Sequence, residues 1–173
     1  LVYNDRIIGE GWHKQYGGPH AEVNCFGNVL PADEIYVPDS TLYVSLEPCA
    51  HFGKTPPCSE LVIQKKVKRV VIGMQDPFAQ VNGKGIEQLK KAGIEVTVGV
   101  LEEACRRLNE AFITFHGRNR PFIVLKYAIS ADGFMAGLNN QTIRLSHLLT
   151  NRWVHSLRAA CAGIMVGKGT ALA

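Results

Sequence analysis

The sequence predicts an α/β fold in which helices cover both faces of a partly parallel sheet. Three short segments rich in β-forming residues, 41–46, 69–74 and 94–98, alternate along the chain with segments of helical character. The 173 residues are 46% hydrophobic and 20% charged, which is typical of a globular protein and not of a disordered one. This length accommodates one ample core, or one domain and part of another.

The predicted elements of the first segment follow from turn residues and from the spacing of apolar residues. Asn4-Asp5 favours a hairpin turn, Pro19 favours the start of a helix, and Gly93 ends another helix. In chain order we expect strands over 1–3 and 6–11, a helix from about residue 20, a polar stretch over 31–40, a strand over 41–46, a helix over 59–66, a strand over 69–74, a loop over 75–84, a helix over 85–92, a strand over 94–98 and a helix from about 101 to 111.

A basic stretch that ends at Pro121 separates these elements from a second segment. We expect a first domain over 1–116, a linker over 117–120 and the start of a second domain over 121–173. In that second domain the pattern predicts a strand over 122–129, a turn over 131–133, a helix over 148–160, and a strand over 164–167 that leads into a nucleotide-type Gly-x-Gly turn. Because both ends lack closing elements, we expect the chain to lie inside a longer protein.

Composition excludes several classes of protein. The net charge of +4 suits an anionic small molecule but is too weak to indicate nucleic acid. Five cysteines without framework spacing, and no signal-peptide pattern, predict a reducing, cytoplasmic protein. No apolar run approaches the roughly 18 residues that span a membrane.

Three residues, His20, Cys49 and Cys58, have the types and the context of zinc ligands. One imidazole and two thiolates fill three tetrahedral positions and leave the fourth for water, as in a catalytic site. Bound zinc lowers the pKa of that water to about 7, and the nearby Glu22 carboxylate could move the protons of a hydrolysis. His-Ala-Glu followed by Pro-Cys is typical of zinc deaminases. The alternative is a closed structural site in which His51 supplies a fourth ligand.

The spacing of the two cysteines departs from that of most zinc deaminases. Two residues usually separate them, whereas eight separate Cys49 from Cys58. Both ends of this loop are candidate ligands, so His51 and Lys54 within it could reach a substrate. Lys54 offers a point charge for a phosphate.

His20-Ala-Glu-Val and Leu46-Glu-Pro-Cys-Ala-His-Phe-Gly-Lys-Thr-Pro-Pro-Cys58 closely resemble the bifunctional deaminase/reductase family of riboflavin biosynthesis. Further matching segments are Gly11-Trp-His-Lys-Gln-Tyr-Gly, Gln75-Asp-Pro, Val81-Asn-Gly-Lys-Gly85 and Leu125-Lys-Tyr-Ala-Ile-Ser-Ala-Asp-Gly133. The resemblance implies a cytidine-deaminase-like three-layer α/β/α domain, followed by the start of a dihydrofolate-reductase-like α/β domain. The first domain of the family deaminates 2,5-diamino-6-(5-phosphoribosylamino)pyrimidin-4(3H)-one to 5-amino-6-(5-phosphoribosylamino)uracil. The second reduces the ribosyl group with NADPH.

The resemblance also implies roles for individual residues. His20, Cys49 and Cys58 match the Zn²⁺ ligands, and Glu22 matches the proton shuttle. The positions that match deaminase substrate contacts are His13, His51, Lys54, Asp76 and Asn82. In the second segment, Thr142 and Arg158 fall near substrate positions, whereas Ala128, Arg144 and Thr170 fall at NADP positions. At Arg144 the family commonly has tryptophan.

The resemblance further implies a phosphorylated pyrimidine as the small-molecule partner, and homo-oligomers formed through the reductase half. Because that half is incomplete in this chain, we expect no reductase activity from the 173 residues alone. Two other functions stay open at this point. One is a deaminase of RNA or a free nucleoside, and the other is a non-enzymatic, zinc-stabilised binding module.

Overall fold

The computed structural model of the chain describes residues 1–52, 56–78, 81–137 and 143–172. The chain divides into two compact units, Leu1–Phe122 and Ile123–Ala173. In the described ranges no helix combines the length and the apolar character that crossing a bilayer requires.

The first unit is built on one five-stranded sheet with the strand order β2-β1-β3-β4-β5. β3, β4 and β5 are parallel, and β1 is antiparallel to both of its neighbours, so the predicted partly parallel sheet is confirmed. In the register, Leu42 pairs with Val70, and Val70 pairs with Val96. The strands are β1 (Val2–Tyr3), β2 (Arg6–Ile7), β3 (Thr41–Leu46), β4 (Arg69–Met74) and β5 (Glu95–Val98).

Helices pack on both faces of this sheet, which gives the three layers expected of a cytidine-deaminase-like domain. The helices of the unit are α1 (Ala21–Gly27), a 3₁₀ helix (Pro31–Asp39), α2 (Cys58–Gln64), α3 (Lys84–Lys91), α4 (Glu102–Leu108) and α5 (Glu110–Arg118). Phe26 of α1, Val62 of α2 and Leu89 of α3 join the core on one face, together with Leu42 and Ile72. On the other face, α4 lies close against Gly73 of β4.

Several boundaries differ from those that the sequence predicts. β2 ends at Ile7 instead of Gly11, because the chain then turns beneath α1, where a Cβ on Gly11 would lie 2.3 Å from the Cys25 nitrogen. The polar stretch over 31–40 is mostly a 3₁₀ helix. The helix predicted from about 101 to 111 is two helices that meet at Asn109. The second of these, α5, continues to Arg118 and therefore includes the first two residues of the predicted linker.

The second unit contains α6 (Leu148–Ala159) and α7 (Lys168–Leu172) in its described residues. The predicted turn at 131–133 is present, with Gly133 at φ +90° and its N–H donating to the Ser130 carbonyl. The strands predicted over 122–129 and 164–167 do not form. A strand needs a hydrogen-bonded neighbour, and no described residue of this unit supplies one. The predicted Gly-x-Gly turn is also wrong, because Lys168 begins α7.

Candidate active site

Three elements of the first unit bring the predicted metal ligands together. His20 lies directly before α1, Cys49 follows β3, and Cys58 is the first residue of α2. One donor atom from each lies within 4.8 Å of the other two. His20 Nδ1 is 3.6 Å from Cys49 Sγ and 3.3 Å from Cys58 Sγ. The described residues thus bring together the three donors that the sequence singles out.

These donors fit a zinc ion. Zn–S bonds of about 2.3 Å and Zn–N bonds of about 2.0–2.1 Å at tetrahedral angles would separate sulfur from nitrogen by about 3.6 Å. The two sulfur–nitrogen distances in the structure, 3.6 and 3.3 Å, agree with this edge length. In the described part of the chain, this group contains no fourth histidine, cysteine or carboxylate.

The two thiols differ in their ionisation. The hydrogen bond between them lowers the pKa of Cys49 to about 5, and the Cys58 N–H, which donates to Cys49 Sγ at 3.3 Å, acts in the same direction. The same thiol–thiol hydrogen bond, together with burial and the negative charge of Glu22, raises the pKa of Cys58. The Cys49 thiolate therefore forms more readily than the Cys58 thiolate, and a nearby positive charge would favour the second. A divalent metal would supply that positive charge and displace the remaining proton.

Glu22 lies in the first turn of α1, two positions after His20, and is only 8% exposed. Burial raises the pKa of its carboxyl group, although hydrogen bonding to its own backbone and to Cys58 opposes that rise. The carboxyl group therefore lies beside a candidate ligand, in a place largely closed to water. Such a group can accept and return a proton next to the metal position.

The predicted substrate residues of the first unit take different positions. The His13 ring is exposed and makes an edge contact with His20, with ring centroids 5.5 Å apart. His51 Nδ1 is buried and has no hydrogen-bond partner among the described residues. Asp76 is buried after β4, and burial raises the pKa of its carboxyl group. Asn82 accepts a hydrogen bond from the Gln75 amide at 2.9 Å. The fifth predicted substrate residue, Lys54, lies outside the described residues.

Three further residues near the site carry no role in the sequence analysis. Glu47 is buried and accepts four backbone hydrogen bonds. Phe78 lies between two histidine rings, with centroids 6.1 Å from His51 and 4.6 Å from His116. The sequence does contain a signal for Glu47, because an acidic residue between a buried strand and a Pro-Cys pair is unusual. His116 gave no such signal, because its contact depends on how α5 packs.

The predicted residues of the second unit remain predictions. Arg158 is exposed on α6, and Thr170 is exposed on α7. Ala128 is half-buried and Arg144 is exposed, and no hydrogen bond links these four in the described part of the unit. Thr142 lies outside the described residues.

Comparison with protein families matches both parts of the chain. Residues 1–74 match the cytidine and deoxycytidylate deaminase zinc-binding region, and residues 121–173 match the RibD C-terminal domain. Among curated relatives, the riboflavin biosynthesis protein RibD of Synechocystis sp. is 45% identical over 170 residues, which are 98% of this chain and 45% of the relative. The chain belongs to the RibD family of riboflavin biosynthesis proteins.

Other relatives and solved structures support the same assignment. The chloroplastic riboflavin biosynthesis protein PYRD of Arabidopsis thaliana is 48% identical over 77% of this chain and 30% of its own length. The crystal structure of a diaminohydroxyphosphoribosylaminopyrimidine deaminase/5-amino-6-(5-phosphoribosylamino)uracil reductase from Thermotoga maritima matches with a TM-score of 0.90 and 43% identity, over 99% of this chain and 48% of that one. Acinetobacter baumannii RibD matches with a TM-score of 0.79 and 40% identity, over 91% of this chain and 43% of that one. The chain spans about half the length of the curated RibD relatives that it matches.

Proposed function

We propose that the first unit hydrolyses the 2-amino group of 2,5-diamino-6-(5-phosphoribosylamino)pyrimidin-4(3H)-one, giving 5-amino-6-(5-phosphoribosylamino)uracil and ammonia. The observation that carries this proposal is the convergence of His20, Cys49 and Cys58 beside the buried carboxyl group of Glu22. The membership of the RibD family supports the choice of substrate.

The residues of the chain account for the binding and proton steps. His20, Cys49 and Cys58 would hold zinc, which when bound supplies Lewis-acid activation of a water molecule at neutral pH. Glu22, as a carboxylate, accepts a proton from the attacking water and returns protons to the ring nitrogen and to the departing amine. A C–O bond forms at the ring carbon, the C–N bond breaks, and ammonia leaves. The burial of Glu22 limits proton exchange with bulk water.

The loop between the cysteines supports a phosphorylated substrate. Eight residues separate Cys49 from Cys58, so His51 and Lys54 belong to a segment that starts and ends at the metal position. His51 has an unpartnered buried nitrogen among the described residues, and Lys54 would supply a positive charge for the phosphate. We infer that His13, Asp76 and Asn82 contact the rest of the substrate.

NADPH-dependent reduction of the ribosyl group would require the complete second domain. Arg158 and Thr142 would contact substrate there, and Ala128, Arg144 and Thr170 would contact NADPH. The chain holds a 53-residue match to that domain, from residue 121 to 173. The observations on this chain therefore support deamination. Oxidoreductase activity, homo-oligomers and a cytoplasmic location stay predictions.

Ammonia release from the phosphorylated diaminopyrimidinone tests this function directly. The zinc-loaded protein should release one ammonia per product, and a chelator should abolish the release. Glu22→Gln should lower the rate by roughly 10²–10⁴-fold while zinc remains bound, whereas Glu103→Gln, an exposed acid on α4, should leave the rate unchanged. Deamination of tRNA or cytidine in its place would favour the nucleic-acid alternative. If chelation unfolds the protein but Glu22→Gln changes no activity, the binding-module alternative holds.

A further inference from the structure

Glu47 carries a buried carboxylate that the proposed chemistry does not use. It follows β3 directly and is only 3% exposed. In the described part of the chain no lysine, arginine or histidine forms an ion pair with it. Four backbone N–H groups donate to it instead, two to each oxygen: those of Asp76 (3.1 Å) and Gly83 (2.9 Å) to Oε2, and those of Gly85 (2.9 Å) and Ile86 (3.2 Å) to Oε1.

Two of the four donors, Asp76 and Gly83, lie in the loop that connects β4 to α3, and the other two, Gly85 and Ile86, lie in the first turn of α3. Asp76 stands near the start of that loop, and Gly83 stands at its end. Asn82 and Gly83 have φ values of +22° and +90°, a region that side chains other than glycine rarely adopt. The carboxylate therefore holds both ends of the loop in place, and the second end includes Asn82 with its unfavourable positive φ.

The same segment reaches the metal position. Pro48 and Cys49 follow Glu47 in the chain, and α3 begins directly against Pro48. A Cβ on Gly85 would lie 2.1 Å from the Pro48 carbonyl oxygen. The tripeptide Glu47-Pro48-Cys49 thus has a metal ligand at one end and the anchor of the β4–α3 loop at the other.

We propose that Glu47 is a positioning residue: its carboxylate fixes the β4–α3 loop, with Asp76 and Asn82, relative to the zinc ligands, and so sets the affinity for substrate. The anchoring part of this proposal depends on the hydrogen bonds alone, and the affinity part rests on the proposed function. Glu47 itself takes no part in proton transfer. Its loss should therefore weaken substrate binding more than it slows the chemical step.

The isosteric change Glu47→Gln should release the loop without opening a cavity. A carboxylate presents acceptors on both oxygens, whereas a glutamine amide places an NH₂ group against two of the four backbone donors. Two buried N–H groups then lose their acceptor, and the remaining two lose a charged one. Glu87→Gln is the matched control, because Glu87 is an exposed acid on α3 that pairs with Lys91 at 2.7 Å.

Hydrogen exchange and steady-state kinetics of the zinc-loaded proteins test the proposal together. In Glu47→Gln, the four amides that donate to this side chain, those of Asp76, Gly83, Gly85 and Ile86, should exchange at least roughly tenfold faster while those of β3 and β4 keep their protection. Zinc content should stay the same as in the wild type. KM should rise roughly tenfold and kcat should change less than about threefold, whereas Glu87→Gln should change neither.

Unchanged exchange, an unchanged KM, or a fall in kcat alone would each overturn the positioning role. If the wild type releases no ammonia, the proposed function fails, and the exchange rates still decide whether Glu47 anchors the loop. If Glu47→Gln does not fold, Glu47→Asp replaces it, since the shorter side chain keeps the negative charge but withdraws the carboxylate from the four N–H groups. It should then give the same rise in KM with zinc retained, and an unaltered KM would refute the proposal.

Discussion

Replacing Gly73 by alanine should destabilise the protein, because α4 packs directly on this residue of β4. An added Cβ would lie 2.2 Å from Cys105 Sγ, 3.0 Å from Cys105 Cβ and 3.0 Å from the Ser45 carbonyl oxygen. Ordinary contacts between such atoms are about 3.5–4.0 Å, so the sulfur must move by more than about 1 Å. Overpacking of this kind costs about 1–3 kcal/mol, and the loss of glycine's freedom in the unfolded chain returns about 0.4–1 kcal/mol.

A net loss of about 1–2 kcal/mol should lower the melting temperature of a chain of this length by roughly 2–8 °C. Thermal unfolding of the zinc-loaded wild type, Gly73→Ala, Cys105→Ala and the double variant measures the effect as a double-mutant cycle. Cys105→Ala removes the atom in the worst overlap, so the double variant should be more stable than the sum of the single changes by about 0.5–3 kcal/mol. Strictly additive losses would refute the inferred packing of α4 on Gly73.

Three further predictions concern an ion pair, a helical glycine and the metal. Arg6 donates to both oxygens of Asp33, at 3.0 and 2.6 Å, and this hydrogen bonding lowers the pKa of that carboxyl group. The ion pair therefore stabilises the folded protein above the unfolded pKa of Asp33, about 3.9, and this stabilisation is lost as pH falls through the lower pKa of the folded state. The urea midpoints of the wild type and Arg6→Gln should differ at neutral pH and converge in acid. A difference that persisted in strong acid would contradict this prediction. Gly117→Ala should stabilise α5 by about 0.5–1 kcal/mol, because a Cβ there meets no atom within 4 Å, and a lower melting temperature would count against it. Zinc at 1,000 times its dissociation constant should add about 4 kcal/mol to the free energy of unfolding, so a chelator should lower the melting temperature of the wild type but not that of His20→Ala.

The sequence was sufficient to predict the sheet and the convergence of His20, Cys49 and Cys58, because both depend on local patterns of residue type. β4 is a continuous apolar run whose residues from Val70 to Met74 are all buried, so its composition alone indicates a central parallel strand. The candidate ligands are recognisable because zinc accepts few residue types and because His-x-Glu and Pro-Cys stand at element boundaries. The eight residues between Cys49 and Cys58 then distinguish the riboflavin deaminases from other zinc deaminases, in which two residues usually separate the cysteines.

The features that the sequence missed depend on contacts between distant segments. Glu47 binds backbone groups 29 to 39 positions away, and no local pattern encodes those partners. His116 reaches Phe78 only because α5 packs where it does. The apolar segments around Leu125 and Val166 have strong β-forming composition, yet a strand forms only beside a neighbour, which the described residues of that unit do not provide.

X-ray absorption at the zinc edge of the zinc-loaded protein tests the central claim most directly, because it reads the ligand shell itself. An open site held by His20, Cys49 and Cys58 predicts two sulfur atoms at about 2.3 Å and two nitrogen or oxygen atoms at about 2.0–2.1 Å, with scattering from a single imidazole. A third sulfur, or a second imidazole such as that of His51, would show a closed structural site and contradict the hydrolytic account.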